Sequence, residues 1–507
     1  MLQKKSFLFT GLSLCVAGMA HAQSKAPNIL FIMSDDHTSQ AISAYGGYLG
    51  QYLPTPNLDR IAKEGVLMKN CFVTNSISTP SRACIITGQY SQKNGVYTLS
   101  DMIDRDHPNV AKELQKAGYQ TAIIGKWHLG TEPAGYDYYN VLPGQGRYYN
   151  PLFIKMGDWD KGQGGRPRQT EYGGHSTDVI ANEAINFMQS VDHERPFFLQ
   201  CHFKAPHRSW EPAHRFKDLL KDVYIPVPGN ILDTYEGKGQ YTQALRMSME
   251  NLRTNDVKVP IPEGMSRDEA RFWAFQYYIK DYLRCVAGID ENVGRILKYL
   301  DDNGLTDNTI VIYTGDQGFF LGEHGWFDKR LMYEEALRMP LLIRYPKEIK
   351  PETVNNDIVM NLDFAPLFLD YAGVSVPSYM QGESFRNNLK GQTPTNWRKS
   401  MYYRYWMNAD NDHSVTAHYG IRTERYKLVY YYAQPLGING ANKSMLVPEW
   451  ELYDLQNDPA EMKNIYKDPA NKNLIAQLKK ELLQLKEKYE DQDSKYPELI
   501  ELNKKYW

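Results

Sequence analysis

Residues 28–36 read NILFIMSDD and residues 309–317 read TIVIYTGDQ, two apolar runs that each end in carboxylates. A short unbroken apolar run closed by polar residues is the pattern of a strand buried on both faces, as parallel sheets require. Residues 121–124, 197–203 and 341–344 share that texture. Helical stretches alternate with these runs. Thr55 and Pro56 supply a cap and a first-turn proline for a helix that stops at Gly65. A second helix is expected over residues 109–117, and Ile289, Val293, Ile296 and Leu300 form one face of a third. The alternation predicts an α/β domain on a parallel sheet, with ligands near the carboxyl ends of its strands.

In such a sheet Asp35, Asp36, Asp316 and the amide of Gln317 share one edge. Three carboxylates in a small volume repel one another unless a cation joins them. An all-oxygen set suits a hard ion, calcium or magnesium, rather than zinc or copper. Acidic residues also cap helices that follow strands, so the two pairs leave both readings open. The run Ser78-Thr79-Pro80-Ser81-Arg82, with Thr87-Gly88 behind it, adds a third feature. Pro80 suits a first helical turn, which puts residue 78 at a helix amino terminus. Free amides and the positive end of the macrodipole there favour a tetrahedral anion. A serine ahead of a helical proline is also commonly a plain cap.

Ser78 through Gly88 resembles the signature of type I sulfatases, in which Cys or Ser, any residue, Pro, any residue and Arg direct conversion to formylglycine. Gly125-Lys126-Trp127-His128-Leu129-Gly130 is similar to the second signature of that family. Lys204-Ala205-Pro206-His207, Gly322-Glu323-His324-Gly325 leading to Lys329, and Glu451-Leu452-Tyr453-Asp454 extend the resemblance over nearly the whole chain. It implies an alkaline-phosphatase-like α/β fold: a large mixed, mostly parallel sheet sandwiched by helices, with a smaller C-terminal α+β subdomain.

The resemblance also implies a chemistry. The chain is expected to be a sulfuric ester hydrolase whose nucleophile is a formylglycine hydrate made from Ser78 by a formylglycine-generating maturation enzyme. Calcium, with magnesium the weaker alternative, would be held by Asp35, Asp36, Asp316, Gln317 and residue 78. Gln317 departs from the family, where many members carry Asn or His. Asp316 would accept the proton of the attacking hydroxyl, and His207 would protonate the departing sugar oxygen. His128 would take the proton of the second hydroxyl as sulfate leaves. Lys126, Lys329 and Arg82 would hold the charge on the sulfate oxygens. His37, His202 and His324 are expected to be supporting residues, and Cys84 a core residue.

Arg404-Tyr405-Trp406, His413, His418 and Arg422 mix aromatic faces with polar tips and are expected to read the sugar, although the aromatics fit packing of a small sheet equally well. The pattern resembles exo-acting bacterial sulfatases for N-acetylglucosamine 6-sulfate and for galactose or N-acetylgalactosamine 4-sulfate. The segment Arg404-Tyr405-Trp406-Met407 leans toward the 4-sulfate group. Two competing readings are a phosphatase or phosphodiesterase of the same superfamily, and a sulfated-glycan-binding protein in which Ser78 stays serine.

The remaining sequence sets bounds. With 507 residues, 42% of them hydrophobic, and a net charge of −2, the chain has no basic footprint for nucleic acid or an anionic membrane, so an anionic substrate must meet local cations. Lys4-Lys5, an apolar run over residues 7–19 and Ala20-His21-Ala22 read as a signal peptide over residues 1–22, cleaved after Ala22, for a periplasmic or secreted protein. Leu14 stands where a lipobox at Cys15 needs a small residue, and no later stretch approaches the ~20 apolar residues of a stable membrane span. Cys71, Cys84, Cys201 and Cys285 are irregularly spaced and read as free buried thiols. Residues 221–264 read as a surface insertion. Residues 23–394 are expected to form the catalytic domain. Residues 395–507 are expected to carry a tyrosine-rich antiparallel sheet and a last helix with Leu474, Leu478, Leu482, Leu485 and Tyr489 as its stripe.

Overall fold

Alternate residues of the strand Asn28–Ser34 point to opposite faces, and both faces are covered: Ile29, Phe31 and Met33 enter one core, Leu30 and Ile32 the other. The computed structural model describes residues 26–507, so the expected signal segment, its cleavage after Ala22 and Cys15 lie outside the described residues. Four neighbouring ladders, joining strands Thr309–Gly315, Asn28–Ser34, Phe197–Phe203, Gln120–Lys126 and Tyr138–Leu142 in that order, are parallel. They form the centre of a ten-stranded sheet. Helices Pro56–Lys63, Ser176–Ser190 and Arg267–Asp302 pack on one face; Ser78–Thr87, Val110–Lys116 and Phe364–Tyr371 cover the other. The fold is the large, mostly parallel sheet between helices that the sequence predicts.

Two expectations need correcting. The strand Leu341–Arg344 is buried as predicted but runs antiparallel to Thr309–Gly315. Its apolar run is compatible with either direction, because burial on both faces erases the pattern that would tell them apart. Residues 221–264 contain only short helical turns, yet Ile225, Ile231, Met247 and Met249 are fully buried, so this insertion is anchored in the core.

Beyond the large sheet, strands Ser400–Tyr405, His418–Thr423, Tyr426–Tyr431 and Glu449–Asp454 form a four-stranded antiparallel sheet. Helix Lys472–Lys488 packs on it through Leu478 and Leu482, with Tyr489 buried just beyond its end. A final helix, Pro497–Tyr506, follows. The first strand of this sheet meets the segment ahead of Ser78: the Arg404 amide donates to the Thr74 carbonyl at 3.1 Å, and the Ser76 amide donates to the Tyr403 hydroxyl at 3.2 Å. Cys71, Cys84, Cys201 and Cys285 are all free and buried.

Candidate active site

Ser34 is level with both Phe203 and Gly315 in the parallel register, so the chain leaves three adjacent strands at one edge. Two glycines permit that crowding. A Cβ on Gly125 would lie 2.0 Å from the His202 carbonyl oxygen, and one on Gly315 would lie 2.3 Å from that of His37. Just past the strand ends, Asp36 and His128 adopt left-handed backbone with φ of 65° and 57°. Such conformations cost on the order of 1–3 kcal/mol each and persist where the surroundings hold them.

Asp35, Asp36 and Asp316 converge here, with carboxylate oxygens within 4.8 Å of one another. Helix Ser78–Thr87 starts against them, buried along its whole length, after Ile77 in extended conformation. The Ser78 hydroxyl donates to Asp35 at 3.1 Å. Arg82, one turn into the helix, donates through Nε to Asp316 at 3.1 Å and through Nη1 to the Lys126 carbonyl at 2.6 Å. Lys126 pairs with Asp35 and donates to Gln145 at 2.6 Å. Lys329 Nζ lies 2.5 Å from Asp36 Oδ1, and His207 Nε2 lies 3.8 Å from Asp36 Oδ2. His128 Nδ1 is 3.3 Å from the Thr79 hydroxyl. All ten expected catalytic and metal-site residues therefore meet at this edge.

The electrostatics are those of a dense, dry cluster. Burial alone would raise Asp35, but Lys126, with Arg82 and Lys329, holds it well below the usual carboxylate range. Burial, with Asp35, Asp316 and Asp328 nearby, pushes Asp36 up to about 7 despite Lys329. Burial and the Asp35 charge raise Asp316 to about 6 against Arg82. Burial, then Lys126, lowers both His128 and His207 well below the ordinary histidine value, so both rings are neutral in the free site.

A hard cation fits this donor set. Asp36 Oδ2 and Gln317 Oε1 are buried without a hydrogen-bond partner among the described residues. The Gln317 Nε2 donates to Asp36 at 2.5 Å and to Asp316 at 2.7 Å, so exchanging its oxygen and nitrogen turns an oxygen toward the same point. Asp35, Asp36, Asp316 and Gln317 then offer a set of oxygens alone, which suits calcium or magnesium chemistry.

Ser78 opens onto a cleft of about 320 Å³ lined by His207, Lys329, Gln145, Arg208, Asp328 and Arg330, with His413 at its rim. Asp328, Arg330, Arg208 and Gln145 were not foreseen. Asp328 and Arg330 flank Lys329, and φ values of 77° and 89° fold them to the same cleft, a turn that residue type alone does not announce. His413 lies 3.2 Å from Asp328 through Nε2.

Three expected sugar-reading residues lie elsewhere. Arg404 is buried in an ion pair with Asp491 at 2.7 Å and stacks 3.5 Å above the Trp406 ring, because a guanidinium in an apolar sheet needs a carboxylate partner. His418 is fully buried among Tyr403, Tyr405 and Tyr431, bonded through Nδ1 to the Thr416 carbonyl. Arg422 is paired with Glu334 at 3.1 Å. With Arg404 in the core, the segment from Arg404 to Met407 gives no ground for preferring a 4-sulfated galactose. His37, His202 and His324 are bonded to Tyr313, the Lys126 carbonyl and Asp233 respectively, as supporting residues are.

Comparison with known proteins agrees with this geometry. Residues 27–374 match the family described as Sulfatase, and residues 322–488 match the one described as N-sulphoglucosamine sulphohydrolase, C-terminal. The chain belongs to the sulfatase family. As a sulfatase it is a sulfuric ester hydrolase, and it is 43% identical to an N-acetylglucosamine-6-O-sulfatase of Bacteroides thetaiotaomicron, over 96% of this chain and 92% of that one. An N-acetylglucosamine-6-sulfatase of Capra hircus is 27% identical over 77% of this sulfatase and 68% of its own length. A solved structure described as a complex with its substrate D-glucosamine-2-N,6-O-disulfate matches with TM-score 0.84 and 42% identity, over 92% of this chain and 99% of that one. Among the described residues of this sulfatase, no helix is long and apolar enough to cross a membrane.

Proposed function

We propose that this sulfatase removes the 6-O-sulfate of an N-acetylated or N-sulfated glucosamine at the end of a glycan chain, in the periplasm or outside the cell. The observation that carries the chemistry is Ser78, on the first turn of a buried helix, 3.1 Å from Asp35 and open to a cleft ringed by Lys329 and His207. The sugar is inferred from the 43% identity to an N-acetylglucosamine-6-O-sulfatase. A cleft of about 320 Å³ sits at the small end of ligand pockets and suits one sugar ring. Residues 23–394 would carry the reaction and residues 395–507 would close its rim through His413.

Formylglycine made from Ser78 by a maturation enzyme would supply, as its hydrate, an oxygen nucleophile and a second hydroxyl, and calcium would supply Lewis-acid charge. Asp35, Asp36, Asp316, Gln317 and residue 78 would hold that ion. The chain's own groups do the rest. Asp316, held by Arg82 beside the start of the Ser78 helix, would accept a proton from the residue 78 side chain. Lys126, Lys329 and Arg82 hold the charge that develops on the sulfate oxygens, in a site where burial strengthens every such contact. His207 gains its proton as the anionic ester offsets Lys126 and Lys329, and passes it to the sugar oxygen. His128, kept neutral by burial and Lys126, takes up the last proton. Asp328, Arg330 and His413 would read ring hydroxyls, displacing Arg404, His418 and Arg422 from that role.

A panel of monosulfated sugars tests this reading. Free sulfate from N-acetylglucosamine 6-sulfate should exceed that from galactose or N-acetylgalactosamine 4-sulfate by at least a hundredfold in kcat/KM, about 2.7 kcal/mol. Equal or reversed rates would contradict the assigned sugar.

A further inference from the structure

A second groove of about 380 Å³ opens beside the reaction cleft and shares Arg208, Arg253, Asp412 and His413 with it. Arg246 lines this side groove alone. Three guanidinium groups thus face a space in which Asp412 is the sole carboxylate among the described lining residues. Each arginine is anchored on one side and keeps donors to spare. Arg208 grips the buried Asp256 through Nε and Nη2 and lies 5.1 Å over the Phe327 ring. Arg253 meets Asp412 through Nη2 at 3.0 Å, and Arg246 donates through Nη1 to the Asn411 carbonyl at 3.0 Å. A guanidinium has five N–H donors, so most remain free for a ligand. None of these three arginines has a part in the chemistry at Ser78, and a chain of net charge −2 has no general excess of cations to scatter there.

We propose that this groove is a second anion subsite, which holds another sulfate or carboxylate group of the same glycan while its 6-O-sulfate is at Ser78. Planar, forked guanidinium groups match both oxyanions in two-point geometry. The inference rests on the proposed sulfatase reading and deepens it: the enzyme selects glycans by a charge it does not remove. Two sources share this chemistry, an N-sulfate on the same ring and the carboxylate of an adjoining uronic acid.

Two substrate pairs separate these sources: glucosamine 2-N,6-O-disulfate against N-acetylglucosamine 6-O-sulfate, and a 6-O-sulfated disaccharide carrying a uronic acid against its carboxyl-reduced form. In the wild type at low salt, the charged member of at least one pair should show a kcat/KM at least fivefold higher. Arg246→Glu should bring that ratio to one or below and leave kcat/KM for N-acetylglucosamine 6-O-sulfate within twofold. Arg246→Lys should keep most of the ratio, and raising the salt should shrink it. The pair that responds names the source. Ratios near one for both pairs in the wild type, ratios indifferent to Arg246→Glu, or equal losses on charged and uncharged members would overturn the subsite. Absence of sulfate release from all four compounds is a different result and contradicts the proposed function instead.

Discussion

Ser78 and Asp35 are 43 positions apart in the chain, yet the serine hydroxyl donates to the aspartate at 3.1 Å where a buried helix begins against the end of the first strand. Arg82, one turn further on, binds Asp316 from the neighbouring strand end. The helix therefore carries its nucleophile position and one of its cations into the carboxylate cluster as a unit. The reaction is expected to depend on that cluster in ways that separate its members.

His207→Ala should cut kcat/KM for a sugar sulfate by ~10²–10⁴, the usual worth of a general acid. An aryl sulfate with a good leaving group needs no such proton and should lose less than tenfold. Steady-state kinetics on both substrates check this; equal losses would remove His207 from that role.

Calcium should stabilise the folded enzyme by about 2.7 kcal/mol at a hundredfold excess over its Kd. Asp316→Asn, which takes a charge from the three-carboxylate set, should lose most of that gain. Thermal melts with calcium and with chelator decide it. A wild-type Tm indifferent to calcium would count against the ion.

Glu323 predicts a pH effect remote from catalysis. Burial raises its carboxyl from 4.5 to about 7. Between those values the folded state keeps a proton that the unfolded chain has lost, so stability falls as pH rises from about 4.5 through 7. Glu323→Gln mimics the protonated form. Relative to wild type it should gain about 3 kcal/mol at pH 8 over its value at pH 4.5. Denaturant unfolding at the two pH values measures the difference, and parallel shifts would refute the assignment.

Arg404→Ala should act on stability rather than on sugar recognition. It leaves Asp491 buried without the guanidinium at 2.7 Å and should cost ~3 kcal/mol or more. The KM for glycans should not change in the fraction that folds. A raised KM with unchanged Tm would restore Arg404 to the substrate site.

Much of this was legible from residues 28–36 and 309–317, because a strand buried on both faces writes its burial directly into its composition and its polar end marks the sheet edge. The ten residues expected at the catalytic edge all belong to short blocks at strand ends or on the Ser78 helix, where local sequence and position coincide. The sugar-facing residues had no such marker. Arg404 and Asp491 are 87 positions apart, and His418 hides between tyrosines of the two strands that flank its own, so whether those polar groups face a ligand or each other depends on tertiary pairing. Asp328 and Arg330 reach the cleft through two left-handed residues, and the direction of Leu341–Arg344 rests on its neighbours.

Everything in this reaction turns on residue 78 working as formylglycine. Protein expressed with its maturation enzyme should be digested with trypsin, and the peptide spanning residues 70–82 weighed and matched to the sulfate released by the same preparation. That peptide should be lighter by two hydrogens at Ser78, in a fraction that rises and falls with activity. Full sulfatase activity from molecules that carry an intact serine at that position would contradict it.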